Sequence, residues 1–116
     1  MTKLTDLDAK FIRYERRDGH QYFVFVKTIE EAQGVEFLCP KCFAINGGAV
    51  GTHAVICWSR SRGIADDVDP GPGRWKLDGT SLDDLTLNAD PPSGARSVQL
   101  NGGCAWHGFV INGDAV

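Results

Sequence analysis

No stretch of this chain approaches the roughly 20 consecutive apolar residues that a membrane-spanning helix requires. The opening MTKLTDLDAK lacks an apolar signal core, so export is not expected. Positive charge is not in surplus either. Twelve Lys and Arg face 15 Asp and Glu, for a formal charge of −3. That balance argues against a general phosphate-binding surface, which needs clustered cations. Several catalytic signatures are missing as well. There is no HExxH. His53-Ala54-Val55 stands where a zinc deaminase would need His-x-Glu. The GPGR stretch is followed by no Gly-Lys-Ser/Thr and no helix, so it makes no phosphate cradle.

What is present is a chain of 116 residues with 14 glycines and four cysteines, long enough for one domain with a modest core. Cytosolic synthesis keeps thiols reduced. Two disulfides are therefore not expected, the more so because histidines accompany the cysteines.

The apolar pattern predicts many short strands. FIRYERR and QYFVFVK flank Asp18-Gly19, a strong hairpin signal. The apolar run Phe23–Val26 predicts a second strand buried on both faces. TIEEAQG predicts one helical turn, with Thr28 as cap, Glu31 three residues on, and Gly34 as its end. VEFL, HAVICW, LTL and RSVQL read as further strands, and Asn112-Gly113 as a closing turn. Trp58 and Trp75 are expected in the core and His20 in solvent at the hairpin tip. The predicted class is mainly β: a single domain over 1–116 of short antiparallel strands, zinc-ribbon-like with two zinc knuckles. Its long loops fall at 59–74 and 88–95. The first loop carries Arg60, Arg62 and Arg74, with Lys76 just beyond. The expectation there is a solvated stretch whose charge Asp66, Asp67 and Asp69 cancel; a basic patch is the alternative.

The chemistry gathers in LCPKCF and GGCAWHGF. Each holds two soft ligands three positions apart, with Pro40 in one turn and glycines around the other. Zinc takes four thiolate or imidazole donors in a tetrahedron. The preferred set is Cys39, Cys42, Cys104 and His107. It ties the middle of the chain to its end, with Trp106 packed over the metal. A local set replaces the last two with His53 and Cys57. HAVIC reads as a strand, however, where positions i and i+4 lie about 13 Å apart. That separation is too long for one ion. A mixed set containing His53 stays open. A thioredoxin-type role for CPKC is not favoured, because KCFAINGG does not read as a helix.

CPKC, THAVICW, GPGRW, GTSLDDLTL, RSVQL and GGCAWHGFVINGDA together resemble a family of small phage and prophage zinc-site proteins, some filed under an ammonia monooxygenase label that nothing in this sequence supports. The resemblance covers most of the chain. It implies a compact zinc domain with Cys39, Cys42, Cys104 and His107 at the metal positions and Ser97 at the end of a strand. Phe43 replaces a glycine common after the second cysteine, and residues 53–74 form a longer insertion.

The expected function is a non-enzymatic zinc-binding module that engages a phage or host protein, in the host cytoplasm or as a minor virion component. Two alternatives remain. One is a metal-dependent hydrolase using His53 with Asp66, Asp67 or Asp69. The other is a nucleic-acid-binding zinc ribbon, which the net charge disfavours.

Overall fold

A computed structural model describes residues 1–91, 94–101 and 103–116. In chain order the strands are β1 (Thr2–Lys3), β2 (Lys10–Arg17), β3 (His20–Val26), β4 (Gly34–Leu38), β5 (Ala54–Trp58), β6 (Trp75–Asp78), β7 (Thr86–Ala89), β8 (Val98–Gln99), β9 (His107–Gly108), β10 (Val110–Ile111) and β11 (Asp114–Ala115). One α-helix, α1 (Pro40–Asn46), joins β4 to β5. The chain is mainly β, as its short alternating segments predict.

Four strands form an antiparallel sheet in the order β3-β2-β4-β5. Asp18 and Gly19 take φ of 51° and 76°, the left-handed pair that a tight β2–β3 turn requires. The expected helical turn is there at Ile29–Glu31, with the Thr28 side chain accepting from the Glu31 N–H. Gly34 does not end that turn; it opens β4. A Cβ on Gly34 would lie 2.7 Å from both Cys57 O and Trp58 Cε3, so only glycine lets β4 and β5 meet here.

The prediction that β3 is buried on both faces is overturned. β3 is the outer strand of the sheet, with Tyr22 48% and Phe25 59% exposed. β4 pairs with β2 only over Lys10–Ile12, so the far half of the hairpin runs past the main core. That core joins Phe11, Val35, Phe37, Leu77, Leu87 and Trp106. A second, smaller cluster of Ile12, Trp58, Ile64 and Val68 lies against Tyr14 and Phe23 of the hairpin. Trp58 and Trp75 are both buried, as expected.

The 59–74 segment covers this second cluster, and its arginines make no basic patch: Arg60 pairs with Asp66 at the surface, as the expected charge cancellation has it, while Arg62 and Arg74 turn inward. Arg74 is 1% exposed. Its Nη1 donates to Pro70 O and Gly73 O at 2.9 and 2.8 Å, and its Nη2 to Ala65 O and Val68 O at 2.7 Å each. Arg62 turns inward to Ala32 O (3.1 Å) and Leu77 O (3.4 Å). Arg60 pairs with Asp66 at 2.6 Å. Trp58 Nε1 donates to Asp69 O at 2.8 Å, and the Gln21 side chain accepts from Asp69 N at 3.1 Å. Past its one short 3-10 turn at Arg60–Arg62, several of the segment's carbonyl groups find donors in side chains. The predicted 88–95 loop is shorter than expected, since Asn88 and Ala89 belong to β7. Pro92 and Ser93 of that loop lie outside the described residues, as does Gly102 of the second ligand turn.

Candidate metal centre

Three cysteines and one histidine converge where β4 ends. The ligand atoms of Cys39, Cys42, His53 and Cys104 all lie within 4.8 Å of one another. They come from three separate segments. Cys39 caps α1, with Pro40 at the first helical position, and Cys42 sits in the helix's first turn. CPKC is therefore a strand-to-helix joint, and the expectation that no helix follows it is corrected. KCFAIN needs only seven residues to turn, because Gly47 at φ 69° ends the helix in the left-handed region.

His53 arrives by strand register. β4 and β5 pair antiparallel with Leu38 opposite Ala54, and the ladder continues through Cys39 N–H donating to His53 O at 2.9 Å. The ring follows its backbone to the cysteines. His53 Nδ1 lies 3.3 Å from Ala54 O. With that nitrogen protonated, Nε2 turns its lone pair toward the thiols, the tautomer that a metal ligand needs. Cys104 reaches the group from the turn between β8 and β9. Gly103 and Ala105 both take positive φ there, 56° and 52°, and Lys41 Nζ donates to Cys104 O at 2.7 Å.

His107, the fourth donor expected from sequence, stands outside the group. It lies in β9 opposite Gln99 and is exposed. The reason is its neighbour. Trp106 is 8% exposed and packs edge-on against Phe37 in the main core, with ring centroids 6.0 Å apart. Successive side chains alternate along an extended chain, so an inward Trp106 turns His107 outward. The Trp106 ring therefore packs in the core, in the same cluster as Cys39. The local set fails too, because Cys57 is fully buried in that core, where burial raises its thiol pKa. The mixed set is the one the fold assembles. Its sequence signal was the pairing of VEFLC with HAVICW, which puts His53 across from Cys39.

The spacing suits a tetrahedral ion. Bonds of about 2.3 Å to sulfur and 2.0 Å to nitrogen imply S–S edges of about 3.8 Å and S–N edges of about 3.5 Å. Cys39 Sγ and Cys104 Sγ are 3.5 Å apart, and His53 Nε2 lies 3.4 Å from Cys104 Sγ. Cys39, Cys42, His53 and Cys104 thus form a group that can hold a metal ion.

Without a metal the protons divide unevenly. With no ion to take its lone pair, His53 Nε2 can carry a proton and donate to Cys104; that hydrogen bond, then one from the Trp106 backbone, holds Cys104 down at about 6. Cys42 is pushed up to about 11, first by its hydrogen bond to Cys104 and then by desolvation. Thiolate is the nucleophilic form. Metal-stripped protein given a brief pulse of iodoacetamide at pH 7.5 should therefore be alkylated at Cys104 well before Cys42. Lowering the pH through about 6 should suppress that reaction. Cys57 should react only after unfolding. Peptide mass mapping reads the order, and Cys42 reacting first would contradict it.

No family model, curated protein or solved structure matches this chain.

Proposed function

We propose that the protein is a zinc-stapled, non-enzymatic interaction module, working in the phage setting to which its motifs point. One observation carries this reading: four soft donors from three segments lie within 4.8 Å of one another, the number that fills a tetrahedral zinc site. A catalytic zinc keeps a position open for water, and four protein donors leave none. The hydrolase reading weakens for a second reason, since Asp66 is engaged by Arg60 on the 59–74 segment. Three thiolates and an imidazole favour zinc among the divalent ions available to such a site. The module's contact surface is protein-facing in this reading, served by exposed apolar side chains such as Tyr22, Phe25 and Phe109. Among the described residues no helix is long and apolar enough to cross a membrane.

Elemental analysis of protein purified without added metal should give about one zinc per chain, as four donors fill one site. Dialysis against a strong chelator should remove it and lower the thermal midpoint. Zinc-free protein with an unchanged midpoint would overturn the staple, and iron in its place would overturn the metal.

A further inference from the structure

The outer edge of the main sheet is β3, a strand of 7 residues against 5 in β5 at the opposite edge. The chain's own hydrogen bonds fix which of its backbone groups face outward. Gln33 N–H donates to Ile12 O at 2.8 Å, and Tyr14 N–H donates to Gln33 Oε1 at 3.0 Å. Ile12 and Tyr14 therefore spend their backbone groups on the β4 side. Their β3 partners, Phe25 and Phe23, sit at the non-hydrogen-bonded positions of the β2–β3 ladder, and Gln21 follows in the same alternation. The two-residue turn closed by Arg17 and His20 sets the same parity. Gln21, Phe23 and Phe25 thus turn their N–H and C=O groups away from β2. Among the described residues, no hydrogen bond to these backbone groups is found.

Nothing guards this edge. His20–Val26 reads HQYFVFV, without proline or a formal charge, and its ladder to β2 runs unbroken. Prolines, charges and bulges are the usual devices that keep a strand edge from pairing. The outward groups at Gln21, Phe23 and Phe25 are also symmetric about Phe23. Two copies related by a two-fold axis at Phe23 therefore meet in register. Phe23 pairs with its own counterpart and Gln21 with Phe25, each pair exchanging both its N–H···O bonds. Tyr22 then lies across from Val24 of the other copy, an aromatic against a β-branched side chain.

Charge fits the same register. One residue past the strand at each end, Lys27 of one copy comes opposite Gly19 of the other, beside Asp18. Both charged groups are exposed, and neither has an ion-pair partner among the described residues. The two-fold axis makes this contact at both ends of the paired strands. A strand whose open groups and end charges match its own reverse fits a second copy of this chain.

We propose that the protein pairs with a second copy of itself along β3, joining two main sheets into one continuous antiparallel sheet. The pairing goes beyond the staple reading and needs no metal, since β3 supplies none of the donors.

A single strand is a small interface beside the about 800 Å² per partner of a standard complex, so association is expected in the micromolar range. Sedimentation velocity of full-length, zinc-loaded protein from about 10 µM to about 1 mM should show a monomer–dimer equilibrium. The Gln21, Phe23 and Phe25 amides should exchange more slowly as concentration rises. Tyr22 and Val24, already bonded to β2, should stay slow throughout. In a mixture of isotope-labelled and unlabelled chains, a filtered NOE should join Tyr22 Hα to Val24 Hα of the other copy, the close pair of this register. Lys27→Glu sets like charges together at both ends and should weaken the dimer about tenfold, a difference that salt narrows. Phe25→Pro removes an outward N–H, which an edge strand tolerates, and should abolish pairing. Phe25→Lys guards the edge with a charge and gives the same readout should proline disturb the fold.

Protein that stays monomeric across the range would overturn the proposal. So would a dimer that leaves Gln21, Phe23 and Phe25 exchanging as in the monomer, survives a folded Phe25 variant, or is as tight with Lys27→Glu. Zinc measured in each sample separates the two readings. A zinc-loaded monomer leaves the staple standing, and zinc-free protein that pairs through β3 overturns the staple and leaves the pairing.

Discussion

Cys104→Ala should release the metal and lower the thermal midpoint by about 15 °C, whereas His107→Ala should change neither appreciably. The size follows from chain topology. Through the ion, Cys104 is tied to Cys42 across roughly 60 residues, and cross-linking a loop of that length restrains the unfolded chain by about 4 kcal/mol. For a domain of this size each kcal/mol moves the midpoint by about 4 °C. Zinc-finger peptides lose their whole fold with the metal. Here the main core, with Phe37, Val35 and Leu87 fully or almost fully buried, should hold a folded state without it. His53→Ala removes the imidazole but keeps three thiols, so zinc should survive dialysis against buffer and be lost to a competing chelator. His107 faces solvent from β9 and touches none of this. Scanning calorimetry with parallel zinc analysis decides the matter. Loss of metal from His107→Ala, with retention in His53→Ala, would show that the sequence-based set was right and that the strand register places the wrong imidazole at the ion.

Arg74→Leu should cost about 3–5 kcal/mol, the range for stripping the partner from buried, hydrogen-bonded polar groups. The guanidinium gives four hydrogen bonds to the carbonyl oxygens of Ala65, Val68, Pro70 and Gly73. Leucine fills comparable space and donates nothing, so those oxygens lose their partner. Arg74→Lys should recover only part of the loss, because an ammonium lacks the planar fork that reaches two pairs of carbonyls at once. Urea unfolding followed by tryptophan fluorescence measures the total. Limited trypsin digestion locates it, with cleavage after Arg60 and Arg62 appearing in Arg74→Leu before the hairpin is touched. Wild-type stability in the leucine variant would mean that the 59–74 segment is held by its apolar contacts and its other hydrogen bonds without need of the Arg74 guanidinium.

The strands were legible wherever local chemistry decides. Asp18-Gly19 forces its turn, Thr28 and Glu31 cap theirs, and HAVICW has the β-branched and apolar run of a buried strand. What was not legible depends on distant partners. QYFVFVK is as apolar as a central strand, yet it sits at the edge because, among the described residues, β2 is the one strand it pairs with. KCFAIN is too short and too poor in helix signals to announce α1; Pro40 and Gly47 bracket it all the same. In the metal centre the three cysteines were readable from spacing. The histidine was not, because Cys-x-x-His in GGCAWHGF mimics a knuckle while Trp106 answers to the core. Choosing between His53 and His107 required the β4–β5 register, which no local pattern records. The inward turn of Arg74 was equally hidden, since its acceptors are backbone atoms without a sequence signature.

The hydrogen bond between Cys39 N–H and His53 O also bears on how the chain finds its fold. A slip of one residue between β4 and β5 would carry every β5 side chain to the opposite face. His53 would then point away from Cys39, and Cys57 would leave the core. Because an ion would accept only the alignment in which His53 meets the thiols, metal capture during folding would act as a proofreader of strand alignment. Misaligned chains are left with an incomplete donor set and no reward for closing. The glycine-rich stretch from Gly47 to Gly51, slack enough to permit several alignments, can therefore stay slack.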